Sequence, residues 1–278
     1  MEPRSKRNIF TLILHKWLRI PYNLHVRYLY RTKNARQTIL LIHGLGATGD
    51  MWKPLIRQLP KDLNVVCVDL LGFGKSPRPY WEEYSAKLQA RSLLATYLKL
   101  RLTNPITIVG HSLGSLVAIE FAKRYPILTK SLILCSPPLY RHNDEASGLS
   151  REALLRMTYQ KLLKSPKLLM RLYSFGKAAK IDASLELNES NIDMFAASMR
   201  SSIINQTAID DIRNLKMPIH IIHGALDPVV IRSNLIRIAR RSPNVSLSTV
   251  VASHPLNDAY INRILHIAHQ QIISPKIS

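Results

Sequence analysis

The chain has 278 residues, 46% of them hydrophobic, which is enough for one large core. Two cysteines, Cys67 and Cys135, cannot make a disulfide framework. The formal net charge of +21 raises anionic partners, but no nucleic-acid motif or aromatic platform accompanies it, so none of that class is expected.

The charge is concentrated early. Residues 1–37 carry nine Lys or Arg against Glu2 alone, a net +8, whereas 139–215 carry +2. Between Arg7 and Ile20, the apolar Ile9, Phe10, Leu12, Ile13, Leu14, Trp17 and Leu18 interleave with Arg7, His15, Lys16 and Arg19. That run is too short to span a bilayer, and no small-residue cleavage site follows it. Residues 1–21 therefore read as a basic amphipathic segment, with two readings open. The segment packs on the body of the protein, or it lies on an anionic membrane surface. With no export signal evident, a reducing, cytoplasmic compartment is expected, with peripheral membrane contact as the variant.

From Tyr22 onward, apolar runs alternate with helical patterns, as a mostly parallel sheet flanked by helices requires. Strands are expected near 22–31 (as one or two), 38–43, 64–69, 105–110, 131–135, 217–223 and 245–251. Between Pro137-Pro138 and Met217-Pro218 only helical patterns appear, in Glu152–Met157, Leu168–Tyr173 and Ile192–Met199.

The most informative residues are Gly110-His111-Ser112-Leu113-Gly114, between the apolar run Pro105–Val109 and the helical pattern Ser115–Ala122. A G-x-S-x-G sequence between strand and helix matches a nucleophile elbow. The serine sits on a strained turn, and a side chain at 110 or 114 would strike the neighbouring strand or helix. A triad in this setting runs Ser, then acid, then His. From Lys216 onward the acids are Asp227 and Asp258. Asp227 lies in the loop after Pro218–Ile222, where a carboxylate at a strand's C-terminal edge belongs. Asp258 sits at a helix start and reads as a capping or dipole residue. His254, in the loop after Val245–Val251, is the base candidate; His266 and His269 fall within the last helix. His220 and His223 point to opposite faces of their strand, which argues against a metal site there.

These blocks make the chain resemble the α/β-hydrolase fold superfamily from about Tyr22 to its end. Ile39–Ile42 with His43-Gly44-Leu45-Gly46 resembles the family's third strand and oxyanion-hole turn. Asp69-Leu-Leu-Gly72-Phe-Gly74-Lys-Ser76 resembles its D-x-x-G-x-G-x-S loop. Pro255, after His254, departs from many relatives but is sterically acceptable at a helix start. The resemblance implies an α/β core made of 22–138 and 213–278, and a helical cap inserted at 139–212. It also puts the strands of Cys67 and Cys135 apart in the sheet, so both are expected as free thiols.

The resemblance further implies that Ser112 attacks a carbonyl carbon, His254 relays the proton, and Asp227 fixes the imidazole. The amides of Leu45 and Leu113 would hold the oxyanion. An acyl substrate is expected, a carboxylic ester or a relative of one, with no metal or cofactor. Carbon–carbon bond hydrolysis, acyl transfer and a non-catalytic ligand-binding role are the alternatives. A pocket between cap and sheet would be lined by Trp52, Met157, Leu172, Phe175, Met194 and Phe195.

Overall fold

The apolar runs of the sequence form a seven-stranded sheet in the computed structural model of the chain, which describes residues 9–33, 35–102, 104–141, 150–178 and 186–270. The strands are Val26–Tyr30 (β1), Thr38–Ile42 (β2), Asn64–Val68 (β3), Ile106–His111 (β4), Thr129–Cys135 (β5), Ile219–Gly224 (β6) and Val245–Val250 (β7). The helices are Ile9–Leu12 (α1), Lys53–Ile56 (α2), Ala86–Lys99 (α3), Leu113–Arg124 (α4), Arg151–Lys164 (α5), Pro166–Ala178 (α6), Ile192–Ser198 (α7), Ala208–Asn214 (α8), Arg232–Arg241 (α9) and Asp258–Ala268 (α10). The spatial strand order is β1-β3-β2-β4-β5-β6-β7. Only β1, on the edge, pairs antiparallel, against β3; every other pairing is parallel.

The expected first strand, 22–31, is regular only over Val26–Tyr30. Upstream, Leu24 and His25 donate their amides to the hydroxyls of Thr96 and Ser76, both at 2.8 Å, so side chains replace a neighbouring strand.

Side chains alternate across a strand, so the sheet divides the apolar residues into two cores. Leu40, Ile42, Val66, Val68, Ile106 and Ile108 face one side, covered by α3, α4, α8 and α9. Ile39, Leu41, Val65, Cys67, Val109 and Ile133 face the other, covered by α2 and α10. Cys67 and Cys135 are buried free thiols on strands separated by β2 and β4. Burial pushes both thiols up.

Between β5 and β6 lie α5, α6, α7 with its continuation Met199–Ile204, and α8. The last of these packs on α4 and α9 and so joins the layer beside the sheet. Ser150 begins α5 by accepting the amide of Ala153 at 3.2 Å, a side-chain cap.

The D-x-x-G-x-G-x-S segment ties the sheet's edge together. Asp69, fully buried after β3, accepts from the Gly49 amide (2.9 Å), the Lys75 amide (2.9 Å) and Arg27 through Nε (3.2 Å) and Nη2 (2.9 Å). Ser76 donates to the Asp69 carbonyl at 2.6 Å. Burial alone would push the Asp69 carboxyl up, but the two amides and the guanidinium hold it below the usual carboxylate range. Removing one partner of a buried pair leaves the others unsatisfied. Asp69→Ala should therefore lower the unfolding free energy by about 3–5 kcal/mol, read from urea denaturation. Asp69→Asn, which keeps one accepting oxygen, should cost less; an unchanged midpoint in Asp69→Ala would contradict this role.

Candidate active site

β4 and α4 are joined by a turn with no slack. Ser112 has φ 50° and ψ −117°, a strained conformation for a residue with a side chain. A Cβ on Gly110 would lie 2.4 Å from the Gly114 carbonyl oxygen, and one on Gly114 would lie 2.3 Å from that of Ile42. The first contact is with the start of α4 and the second with the end of β2, so both glycines are required by close approach. The Ser112 amide donates to the Cys135 carbonyl at 2.9 Å, and Ser115 Oγ donates to the Gly110 carbonyl at 2.8 Å.

Two loops converge on Ser112 from the far strands. His254 Nε2 lies 3.1 Å from Ser112 Oγ, and His254 Nδ1 lies 2.9 Å from Asp227 Oδ2. A carboxylate only accepts, so Nδ1 carries the proton and Nε2 is left to accept from the serine hydroxyl. The other Asp227 oxygen accepts the amides of Val229 (2.8 Å) and Val230 (3.2 Å). Burial would push the Asp227 carboxyl up, but the His254 hydrogen bond and charge, the Ser136 hydroxyl and the Val229 amide hold it below the ordinary range. Asp258 is exposed in the first turn of α10, behind the Asn257 cap. His220 bonds Ser246, and His223 bonds Thr249, each on β7.

The turn after β2 faces the same place. A Cβ on Gly44 would lie 2.9 Å from His111 Nδ1 and 3.3 Å from Ser112 Cβ. Leu45 follows it, half-buried. Leu113 is the first residue of α4, where amides have no intrahelical acceptor and the helix dipole is positive. His43 is fully buried: Nε2 accepts the Leu70 amide at 2.8 Å, and Nδ1 donates to the Gly44 carbonyl at 2.7 Å. Burial pushes its pKa down to about 4, so the imidazole is neutral and its tautomer fixed.

The sequence-based pocket fares unevenly. Met194 is half-buried against the main core, its Cβ 3.1 Å from where a Cβ on Gly72 would stand. Phe195 is buried in that same core. Trp52 belongs elsewhere: it is fully buried on the opposite face of the sheet, with α10, because the turn carrying it folds under β2 and β3. Met157 is 53% exposed, on the outer side of α5, so it lines no pocket. The side chains of Leu172 and Phe175 lie outside the described residues.

Four residues around the site escape sequence reasoning. His111 Nε2 donates to the His254 carbonyl at 2.9 Å. Ser136, next to Asp227, shares a hydrogen bond with the hydroxyl of Tyr260, whose oxygen lies 3.2 Å from the Ser253 carbonyl. Arg151, the first residue of α5, donates to the carbonyls of Asp227 (3.1 Å) and Pro228 (3.0 Å). Of these only Ser136, just past a strand's C-terminal end, carries a positional signal. The stretch 186–206 also touches the site's loops, where the Glu186 amide donates to the Gly46 carbonyl at 2.7 Å and Ser202 to that of Tyr84 at 3.1 Å.

Comparison with known proteins places the chain in a family. Residues 37–256 match the family model described as alpha/beta hydrolase fold. A pimeloyl-[acyl-carrier protein] methyl ester esterase of Pseudoalteromonas atlantica is 28% identical over 222 residues, 74% of this chain and 82% of that protein. A monoacylglycerol lipase of Homo sapiens is 35% identical over 117 residues, 42% of this chain and 35% of the lipase. A probable lysophospholipase of Arabidopsis thaliana, BODYGUARD 4, is 28% identical over 130 residues, 46% of this chain; the matched region spans only 31% of that relative's length. Among solved structures, an esterase from Thermogutta terrifontis superposes with TM-score 0.68 at 20% identity, covering 86% of this chain and 90% of the esterase. The enol-lactonase from Burkholderia xenovorans LB400 gives TM-score 0.66 at 20% identity, covering 87% and 95%. The chain belongs to the α/β-hydrolase fold family of enzymes.

Proposed function

We propose that the protein is a serine hydrolase that cleaves a carboxylic ester or a related acyl substrate. One observation carries the reading: Ser112, on a strained turn, is linked to His254 and through it to buried Asp227 by hydrogen bonds of 3.1 and 2.9 Å. Relatives named as a methyl ester esterase and a monoacylglycerol lipase support the substrate class.

The chemistry follows from the proton inventory. Ser112 Oγ attacks the acyl carbon while its proton passes to His254 Nε2. Asp227 stabilises the resulting imidazolium without taking its proton. The negative charge gathering on the carbonyl oxygen is held by the amides of Leu45 and Leu113 and by the positive end of α4. Collapse expels the alcohol, protonated by His254, and leaves an acyl-enzyme that water hydrolyses by the same route. Helices α5–α7 act as a cap over the strand ends, and the contacts of Arg151 on α5 with Asp227, and of Glu186 and Ser202 on either side of α7 with Gly46 and Tyr84, support that placement. Leu45, half-buried next to the Gly44 turn that abuts Ser112, is the apolar side chain that would meet the acyl group.

A fluorophosphonate probe should label Ser112, seen by peptide mass mapping, and should not label Ser112→Ala. Ser112→Ala and His254→Ala should each lower kcat on a p-nitrophenyl ester by roughly 10⁴-fold or more, with the double variant little worse, because the residues act as a unit. Asp227→Asn should be severe, whereas Asp258→Asn should keep near-normal activity; the reverse would move the acid to Asp258. The pH profile should show kcat/KM falling on the acid side, since protonated His254 cannot accept the serine's proton. Asp227, held below the usual carboxylate range, stays ionised through that limb. The fall should therefore follow a single proton, and a flat profile would exclude a histidine base.

A further inference from the structure

The N-terminal segment is attached to the body with Leu12 and Leu14 half-buried and the larger part of its described apolar side chains left exposed. After α1 the backbone continues as a wider helical turn over Ile13–Trp17, none of whose residues is buried. Ile13, Trp17, Leu18 and Ile20 are 45%, 76%, 62% and 44% exposed, so four large apolar side chains face water within eight residues. The segment nonetheless has a fixed seat. The His15 ring stacks on Tyr22 at 4.0 Å, and Arg91 Nη2 donates to the Arg19 carbonyl at 2.7 Å.

Its electrostatic surroundings select an occupant. Lys16 and Arg19 are exposed between the apolar side chains. A cavity of about 410 Å³ beside the segment is bordered by Lys16, Arg19, Lys87 and Arg91, against Glu82 and Glu83. No acidic residue occurs from Pro3 to Gly49, while Arg4, Lys6 and Arg7 precede the helix. A protein partner covering this patch could be neutral, but apolar side chains interleaved with Lys16 and Arg19 have a specific complement in a surface that is apolar inside and anionic at its face. Tryptophan with adjacent basic residues is the composition favoured at the headgroup level of a bilayer. No helix among the described residues is long and apolar enough to cross a membrane.

We propose that Ile13–Ile20 is a docking surface for a bilayer containing anionic phospholipid. Ile13, Trp17, Leu18 and Ile20 enter the boundary between headgroups and acyl chains, and Lys16 and Arg19 meet the phosphates. The surface is independent of the hydrolytic reading, since none of these residues lies among the groups assigned to the reaction.

The full chain is tested by flotation with vesicles of phosphatidylcholine alone and of phosphatidylcholine with one-third phosphatidylserine. It should float with the anionic vesicles only, with a partition coefficient that falls about tenfold or more between 0.1 and 0.5 M salt as the charges are screened. Trp17 emission should shift to shorter wavelength on binding, and the shift should vanish in Trp17→Phe. The variant Trp17→Ala/Leu18→Ala should lose at least tenfold in partition while keeping its melting temperature and its rate on a soluble ester, because both side chains are already exposed. Equal flotation of variant and parent, equal flotation with phosphatidylcholine alone, or no flotation at all would overturn the proposal. So would a parent that sediments as an oligomer the variant dissociates, with no vesicle binding, since the patch would then join copies of the chain.

Discussion

Everything in the site depends on how closely α4 approaches the end of β2. With hydrogen as the side chain of residue 114, the helix start comes against the Ile42 and His43 carbonyls; any Cβ would push it away. That contact sets the first amide of α4, the strained turn at Ser112 and the neighbouring turn at Gly44 in one fixed relation. A strained residue costs about 1–3 kcal/mol and persists only where its surroundings over-determine it. Here the bonds from Ser112 to Cys135 and from Ser115 to Gly110 and Ser112 provide that determination. The sheet order contributes as well. β2 and β4 are neighbours, but the chain leaves β2 toward one edge and β4 toward the other, opening a crevice at their C-terminal ends.

The other half of the site is assembled across the sheet's second face. Tyr260, buried in the α10 core, reaches Ser136 after β5 and the Ser253 carbonyl before His254. A Cβ on Gly224 would meet the Ala252 carbonyl at 2.3 Å, so the loops carrying Asp227 and His254 are pressed together where they leave β6 and β7. Asp227 and His254 are thus positioned by packing beneath them, and Arg151 adds a tie from α5.

What the sequence disclosed follows from the range of the causes. Strand ends, the elbow glycines and the loop positions of Asp227 and His254 are local facts, written in apolar runs and turn residues. Trp52 and Met157 lie away from the expected pocket because an apolar side chain declares that it prefers burial, not which face receives it. Met157 shows that even the preference fails when its helix turns the residue outward. His111, Tyr260 and Arg151 act through partners 143, 124 and 76 positions away, pairings that no local pattern encodes. The N-terminal helix left two readings open for the same reason, since only tertiary structure distinguishes a packed face from a bare one.

The buried His43 gives the scaffold a limit of its own in acid. In the folded chain its Nε2 must stay bare, because the Leu70 amide already points a hydrogen at it. An unfolded chain has no such constraint and takes up a proton near the ordinary histidine value of 6.5, whereas the folded chain resists until about 4. Across that interval each step toward acid favours the unfolded state, by linkage, and the stability lost is regained as the solution is returned to neutrality. Protonation at the low end would set two hydrogens against each other beneath the turn that carries Leu45. This imidazole therefore adds to the acid sensitivity that the buried carboxylates Asp69 and Asp227, both held below the usual range, bring by the same linkage.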